Sequence, residues 1–189
     1  MNDVAGAAGY LFEIGLLKRS KRAGWWIAGI KDPETIAEHS WRAAITGMMI
    51  ASMEGADPTR TAMLCVLHDT SETRIGDIPH VGRAYLKATS NEEIVADQLA
   101  EVPESIRATI QDAVDEFEAQ ETPESRCAKD ADKLECLIQA VEYRHGGAGT
   151  VGPWIDSSYA ALKTDTARAL AEAALAGDPL AWQQVRKQG

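Results

Sequence analysis

Residues 62–67, Ala-Met-Leu-Cys-Val-Leu, are apolar without a break and run directly into His68-Asp69. Upstream, Asp57-Pro58 has the chemistry of a helix start, with Asp as N-cap and Pro in the first helical position. A helix that is apolar on every side has to be enclosed by neighbours. His68 and Asp69 are therefore expected at the end of a buried helix, where an ionised carboxylate is costly unless it is paired or metal-bound. His39 lies upstream in Ala37-Glu38-His39-Ser40, and Asp132 downstream in Lys129-Asp130-Ala131-Asp132-Lys133. Each lies in a stretch that reads as helix. Two imidazoles and two carboxylates on neighbouring helices can close around one divalent metal. Such a set suits Mn, Co, Fe or Zn and leaves positions open for water, which is the requirement for metal-assisted hydrolysis. Taken singly, the residues have plainer readings: His68 as a core histidine, Asp69 as a turn residue, Asp132 as a surface partner of Lys133 or Lys129.

The rest of the chain is punctuated like a helical protein. Ala-rich segments and short β-branched runs favour helix. A first helix is expected from about Val4 to Ser20, with Tyr10, Ile14 and Leu17 at helical spacing. Gly24 and Gly29 bracket a turn-rich segment holding Trp25 and Trp26. Thr35 followed by Glu38 fits a capping box, and Ala37, Trp41, Ala44, Ile45 and Met48 then give one apolar face. Ser90 with Glu93 opens a helix that ends before Pro103, and Pro103 opens another to about Gln120. Thr122-Pro123 starts the next, with Cys127, Ala131, Leu134, Ile138 and Val141 inward and Asp132 beside that stripe. Gly146 to Gly152 reads as a connector, with a mobile loop near the site as the other reading. An Ala-rich helix from about Ser157 to Ala176 follows, with Gly177 at its C′ position and a short last helix from Asp178-Pro179 through Trp182.

A chain of 189 residues argues for one domain. A formal net charge of -10 disfavours nucleic-acid polymers and anionic membranes as partners. A small phosphorylated ligand is still compatible, because Lys18, Arg19, Lys21 and Arg22 form a local basic cluster; on composition alone the same cluster also fits a solvated helix end. Cys65, Cys127 and Cys136 have neither metal-type nor disulfide-framework spacing. With no signal segment or apolar stretch of about 20 residues, the expectation is a soluble cytoplasmic protein.

Five segments taken together, Arg22-Ala23-Gly24-Trp25, Pro33 to Ser40, His68-Asp69 with Glu72, Gly76-Asp77-Ile78-Pro79 and Ala131-Asp132-Lys133, resemble the HD-domain metal-dependent phosphohydrolases. The match is closest to the 5'-deoxynucleotidase subgroup and covers roughly residues 8 to 145. The resemblance implies an all-α, compact HD-domain helical bundle, with residues 1–189 as one domain and C-terminal helices over about 157–187. It implies one divalent metal ion (Mn, Co, Fe, Mg or Zn) held by His39, His68, Asp69 and Asp132. It gives Glu72 a proton-transfer role, which fits the residues if the helix continues one turn past His68 and puts both on one face. Asp77, in a tight turn permitted by Gly76, is implied to be both catalytic and substrate-binding; a plain turn-stabilising Asp is the other reading. Arg22 would fork onto phosphate oxygens, with Arg19 in reserve because Ala23-Gly24 separate Arg22 from Trp25. Trp25 would pack on the sugar and disfavour a 2'-hydroxyl, or else only staple the turn to the core. A homodimer is implied as well.

The expected activity is hydrolysis of deoxyribonucleoside 5'-monophosphates to deoxynucleoside and phosphate. The alternatives are another small phosphate ester, a nucleoside di- or triphosphate, an HD-type di-iron oxygenase, and a catalytically silent nucleotide-binding or interaction module. The oxygenases need further histidines between the His-Asp pair and the last Asp. His80 and His145 do not complete that set and read as surface residues.

Overall fold

A computed structural model of the chain describes residues 2–87 and 89–183. Among these residues the protein is all-α, without strands, as the resemblance implies. The helices are α1 (Asn2–Ile14), α2 (Gly24–Ile27), α3 (Ile36–Glu54), α4 (Pro58–Leu67), α5 (Glu72–Ile75), α6 (His80–Arg83), α7 (Asn91–Gln98), α8 (Glu104–Ala119), α9 (Pro123–His145), α10 (Gly152–Ala161) and α11 (Asp165–Ala176).

Local chemistry sets the starts of the helices that matter most here. Thr35 accepts from the Glu38 N–H at 3.1 Å while the Glu38 carboxylate takes the Thr35 N–H. Asp57 accepts from Thr59 and Arg60 with Pro58 in the first turn. Thr122 and Ser125 form the reciprocal pair at the start of α9. Each such cap is worth about 1 kcal/mol. They fix where α3, α4 and α9 begin, and these helices carry the site.

α9 is the hub, packed against α3, α4, α8, α10 and α11. Its buried face is Cys127, Ala128, Ala131, Leu134, Leu137, Ala140 and Val141. α3 meets α4 closely at Gly47, where a Cβ would lie 2.8 Å from Cys65 Sγ. A smaller cluster of Tyr10, Val95, Leu99, Val102 and Val114 seats α1 against the α7–α8 side. Lys21 and Thr35 form an isolated β-bridge, which clips the segment before α2 to the start of α3.

Several expectations need correction. The first helix ends at Ile14 and tightens into a 3-10 turn over Gly15–Lys18. The apolar face expected of α3 is mostly outside: Trp41 is 67% exposed, and Ile45, Met48, Met49 and Met53 are exposed too. The buried face instead holds Ile36, His39, Ser40, Ala43, Ala44, Gly47, Ile50 and Ala51. α4 is not enclosed all round, since Val66 is exposed. The helix expected from Ser157 to Ala176 is two helices. Asp130, buried on α9, accepts from the N–H groups of Lys163 and Thr164 and from the Thr164 hydroxyl, which breaks the helix there, and Thr164 caps α11 by accepting from the Ala167 N–H. Gly177 has φ -85°, an extended C-cap rather than a left-handed one. Ala181–Gln183 is a single 3-10 turn, and residues 184–189 lie outside the described region.

Candidate metal centre and active site

The four expected metal ligands come together from three places in the fold. His39 lies in the first turns of α3, His68 and Asp69 close α4, and Asp132 sits on α9. His68 Nε2 is 3.1 Å from Asp69 Oδ2 and 4.0 Å from Asp132 Oδ1. His39 Nε2 is 3.3 Å from Asp132 Oδ1 and 3.8 Å from Asp69 Oδ2. Donor atoms at metal–ligand distances of about 2.0–2.2 Å are separated from each other by about 3 Å, so this spread is of the right order. His39, His68 and Asp69 by themselves are close enough to share one ion.

The imidazoles are oriented from behind. His68 Nδ1 meets the Cys65 carbonyl at 2.7 Å, so that nitrogen carries the proton and Nε2 faces the cluster. His39 Nδ1 is bonded to Glu135, which is fully buried. Glu135 also accepts from Arg42 Nε at 2.9 Å, and Arg42 is held in turn by Glu142 and Gln139. Both Nε2 atoms are buried without a well-aligned hydrogen-bond partner among the described residues. Buried polar atoms are rarely left in that state. Two imidazole nitrogens aimed at two carboxylates fit a divalent cation that would displace any proton held there, and Glu135 behind His39 is the outer support such ligands usually have.

The electrostatics run the same way. Burial works against charge on Asp132 and Asp69. For Asp132, Lys133 and His39 overcome that and hold it well below the usual carboxylate range. For Asp69, His68 and Arg22 do the same. Burial and Arg22 oppose a charge on His39, but Glu135 and Asp132 prevail and raise it to about 10. The pocket thus gathers positive charge around its carboxylates.

Glu72 opens α5 after a tightened turn. The α-helix expected to run on past His68 stops at Leu67, and i to i+3 bonds take over: Thr70 N–H to Leu67, Glu72 N–H to Asp69, Arg74 N–H to Ser71. Glu72 still lines the cavity beside His68 and Asp69, with Oε2 buried and unpartnered. Burial first, and Asp69 second, push its carboxyl up to about 9. Gly76 has φ +74°, a left-handed backbone that suits glycine. Asp77, just after it, accepts from the Ala23 N–H at 2.6 Å and ties this turn to the segment before Trp25.

Of the basic cluster, only Arg22 enters. Its Nη1 is 3.3 Å from Asp69 Oδ2, whereas Lys21 pairs with Asp32 and Arg19 is exposed. Trp25 is 2% exposed, donates from Nε1 to Glu34 at 2.9 Å, and packs edge-on against Tyr143. His80 and His145 are exposed, as expected, although His80 stands on the cavity rim.

Two chambers meet at Asp69, Glu72, Asp132 and Lys133. One, of about 360 Å³, is lined by Ser71, Arg83, Asn91, Glu118 and Lys129. The other, of about 560 Å³, holds Arg22, Trp25, Asp77 and residues of α10. Sequence reasoning missed Glu135, Lys133 as a cavity residue, and α10. The first had a signal: Arg42 follows His39 by three residues and Glu135 follows Asp132 by three, so two helix faces carry matching pairs.

A family profile described as "HD domain" matches residues 14–174, reaching past the motif region through α10 and into α11. The chain is 31% identical to the 5'-deoxynucleotidase HDDC2 of Danio rerio over 69% of its own length and 66% of that protein's. It therefore spans just under two thirds of that relative. It is 35% identical to the 5'-deoxynucleotidase hdd1 of Schizosaccharomyces pombe, over 67% of each chain. A conserved hypothetical protein from Pyrococcus furiosus superposes with a TM-score of 0.71 at 29% identity, covering 88% of this chain and 95% of the other.

Proposed function

The chain belongs to the HD domain family, and from that premise we propose that it is a metal-dependent phosphomonoesterase converting deoxyribonucleoside 5'-monophosphates to deoxynucleoside and phosphate. The single observation that carries this reading is the pair of buried, unpartnered imidazole nitrogens facing Asp69 and Asp132. The relatives named 5'-deoxynucleotidase supply the substrate class.

His39, His68, Asp69 and Asp132 would hold one divalent ion. When bound, it supplies a polarised water at neutral pH and a positive charge against the phosphate. The other residues have separate tasks. Arg22 and Lys133 lie next to the carboxylates and can take the non-reacting phosphate oxygens, Arg22 in a forked manner. Glu72 is placed to accept a proton from the attacking water or to pass one to the leaving 5'-oxygen. Asp77 holds the Arg22–Trp25 segment through Ala23, and its cavity side can meet the sugar.

Glu135 keeps the His39 tautomer and orientation. Glu135→Gln is expected to weaken metal affinity by roughly 10- to 100-fold, the usual cost of losing such a support. Titration against a chelator of known affinity measures it. An unchanged affinity would make Glu135 a packing residue.

Trp25 is proposed to set the preference for 2'-deoxyribose. An unpaired or clashing hydroxyl costs about 1–3 kcal/mol, or roughly 5- to 150-fold. Rates on dAMP, AMP, dADP and dATP test both the sugar and the monophosphate reading. Trp25→Ala should raise relative activity on AMP. The ring is also core, so stability should fall by about 3–5 kcal/mol; Trp25→Phe, which keeps most of the volume, should move the ratio less. No deoxy preference in the wild type, or an unmoved ratio in Trp25→Ala, would reduce Trp25 to packing.

A single domain over residues 1–189, a cytoplasmic location and a homodimer complete the proposal. The homodimer is supported by the exposed strip of Trp41, Ile45, Met48, Met49 and Met53 along α3.

A further inference from the structure

We infer that the larger chamber is a nucleobase subsite and that Trp154, on α10, is its stacking platform. This rests on the nucleotidase reading, which puts the phosphate at the carboxylate cluster. From that point the nucleoside must extend into one of two chambers. Ile78 and Arg83 line both chambers; the 360 Å³ chamber adds the polar Asn91, Glu118 and Lys129 as well as Ile75, Leu86 and Phe117. The 560 Å³ chamber has a continuous apolar wall of its own, Ile27, Val81, Pro153 and Trp154, beyond Arg22 and Asp77. A flat, largely apolar base belongs in the second, whose volume is in the range of small-ligand sites.

Within that chamber the two tryptophans differ. Trp25 gives the chamber little surface, enough for contact with a sugar but not for a base: it is 2% exposed, donates to Glu34, and packs against Tyr143. Trp154 is only partly buried and lines the chamber. It is stacked on Trp25 with 5.8 Å between ring centroids and 28° between planes. A ring braced on one side has little freedom left to lose when a base stacks on it. Every base has a π-face, so such a platform gives affinity without choosing among bases. Ser157, also in the wall, donates its hydroxyl to the Trp154 carbonyl at 3.3 Å rather than to the chamber.

The test is calorimetric titration of the Mn²⁺-loaded protein with each reaction product, deoxyadenosine and inorganic phosphate, which removes turnover from the readout. Trp154→Leu keeps apolar bulk without an aromatic face, and Trp154→Phe keeps a face. Trp154→Leu is expected to weaken deoxyadenosine binding by roughly 5- to 150-fold, while Trp154→Phe stays near wild type and phosphate binding is unchanged in both. If Leu and Phe bind deoxyadenosine alike, or if phosphate affinity falls in step, Trp154 is a structural residue and the inference fails. A wild type that binds phosphate but not deoxyadenosine overturns the subsite and leaves a phosphohydrolase. A wild type that binds neither overturns the nucleotidase reading along with it.

Discussion

Glu72→Ala is expected to keep stoichiometric metal and to lower turnover on dAMP by roughly 10² to 10⁴, the usual worth of a positioned acid–base group. The separation follows from where Glu72 sits. His39, His68, Asp69 and Asp132 form the tight group, with donor atoms 3.1–4.0 Å apart. Glu72 stands beside it, at the start of α5, on the wall common to both chambers. Its buried Oε2 has no hydrogen-bond partner, so it is free to exchange a proton with a water or a leaving oxygen. Removing it takes nothing from the ligand group. Glu72→Gln, which keeps volume and loses the titratable group, should show a similar drop. Parallel loss of metal and turnover would make Glu72 a ligand or a structural residue.

Asp69→Asn should have the larger effect, abolishing both metal binding and activity. Asp69 lies close to both imidazoles and to Arg22. Replacing it with an amide removes a negative charge from a site where burial makes charge balance expensive. It also leaves Arg22, 3.3 Å away, without its nearest counter-charge and therefore repelling a cation. His68→Ala should lose the metal for a different reason, the absence of a nitrogen donor. Metal analysis of the purified variants alongside phosphate release separates these from Glu72→Ala. An Asp69→Asn protein with full metal and normal turnover would show the ligand assignment to be wrong.

What could be read from the sequence was what neighbours along the chain decide. Thr35 with Glu38, Asp57 with Pro58 and Thr122 with Pro123 start α3, α4 and α9 because capping needs only residues two or three apart. The His-Asp pair at the end of α4 was legible for the same reason. What depended on distant parts of the chain was not. Trp41, Ile45 and Met48 have sound helical spacing, yet the opposite stripe is buried, because Ala43, Gly47 and Ala51 allow α3 to approach its neighbours closely. Periodicity gives a face but not which way it turns. The break before α11 comes from Asp130, 33 residues earlier than Lys163. Glu135 looks like an ordinary helix acid until α3 brings His39 and Arg42 against it. α10 carries no motif, and only the packing puts Trp154 on the cavity wall.

The most direct test of the central claim is phosphate release from dAMP by metal-stripped protein, with Mn, Co, Fe, Mg and Zn added back one at a time and bound metal counted. The apo protein is expected to be silent, with activity returning at one equivalent of ion per chain. Undiminished activity without metal, or no phosphate released with any of the five, would contradict that claim.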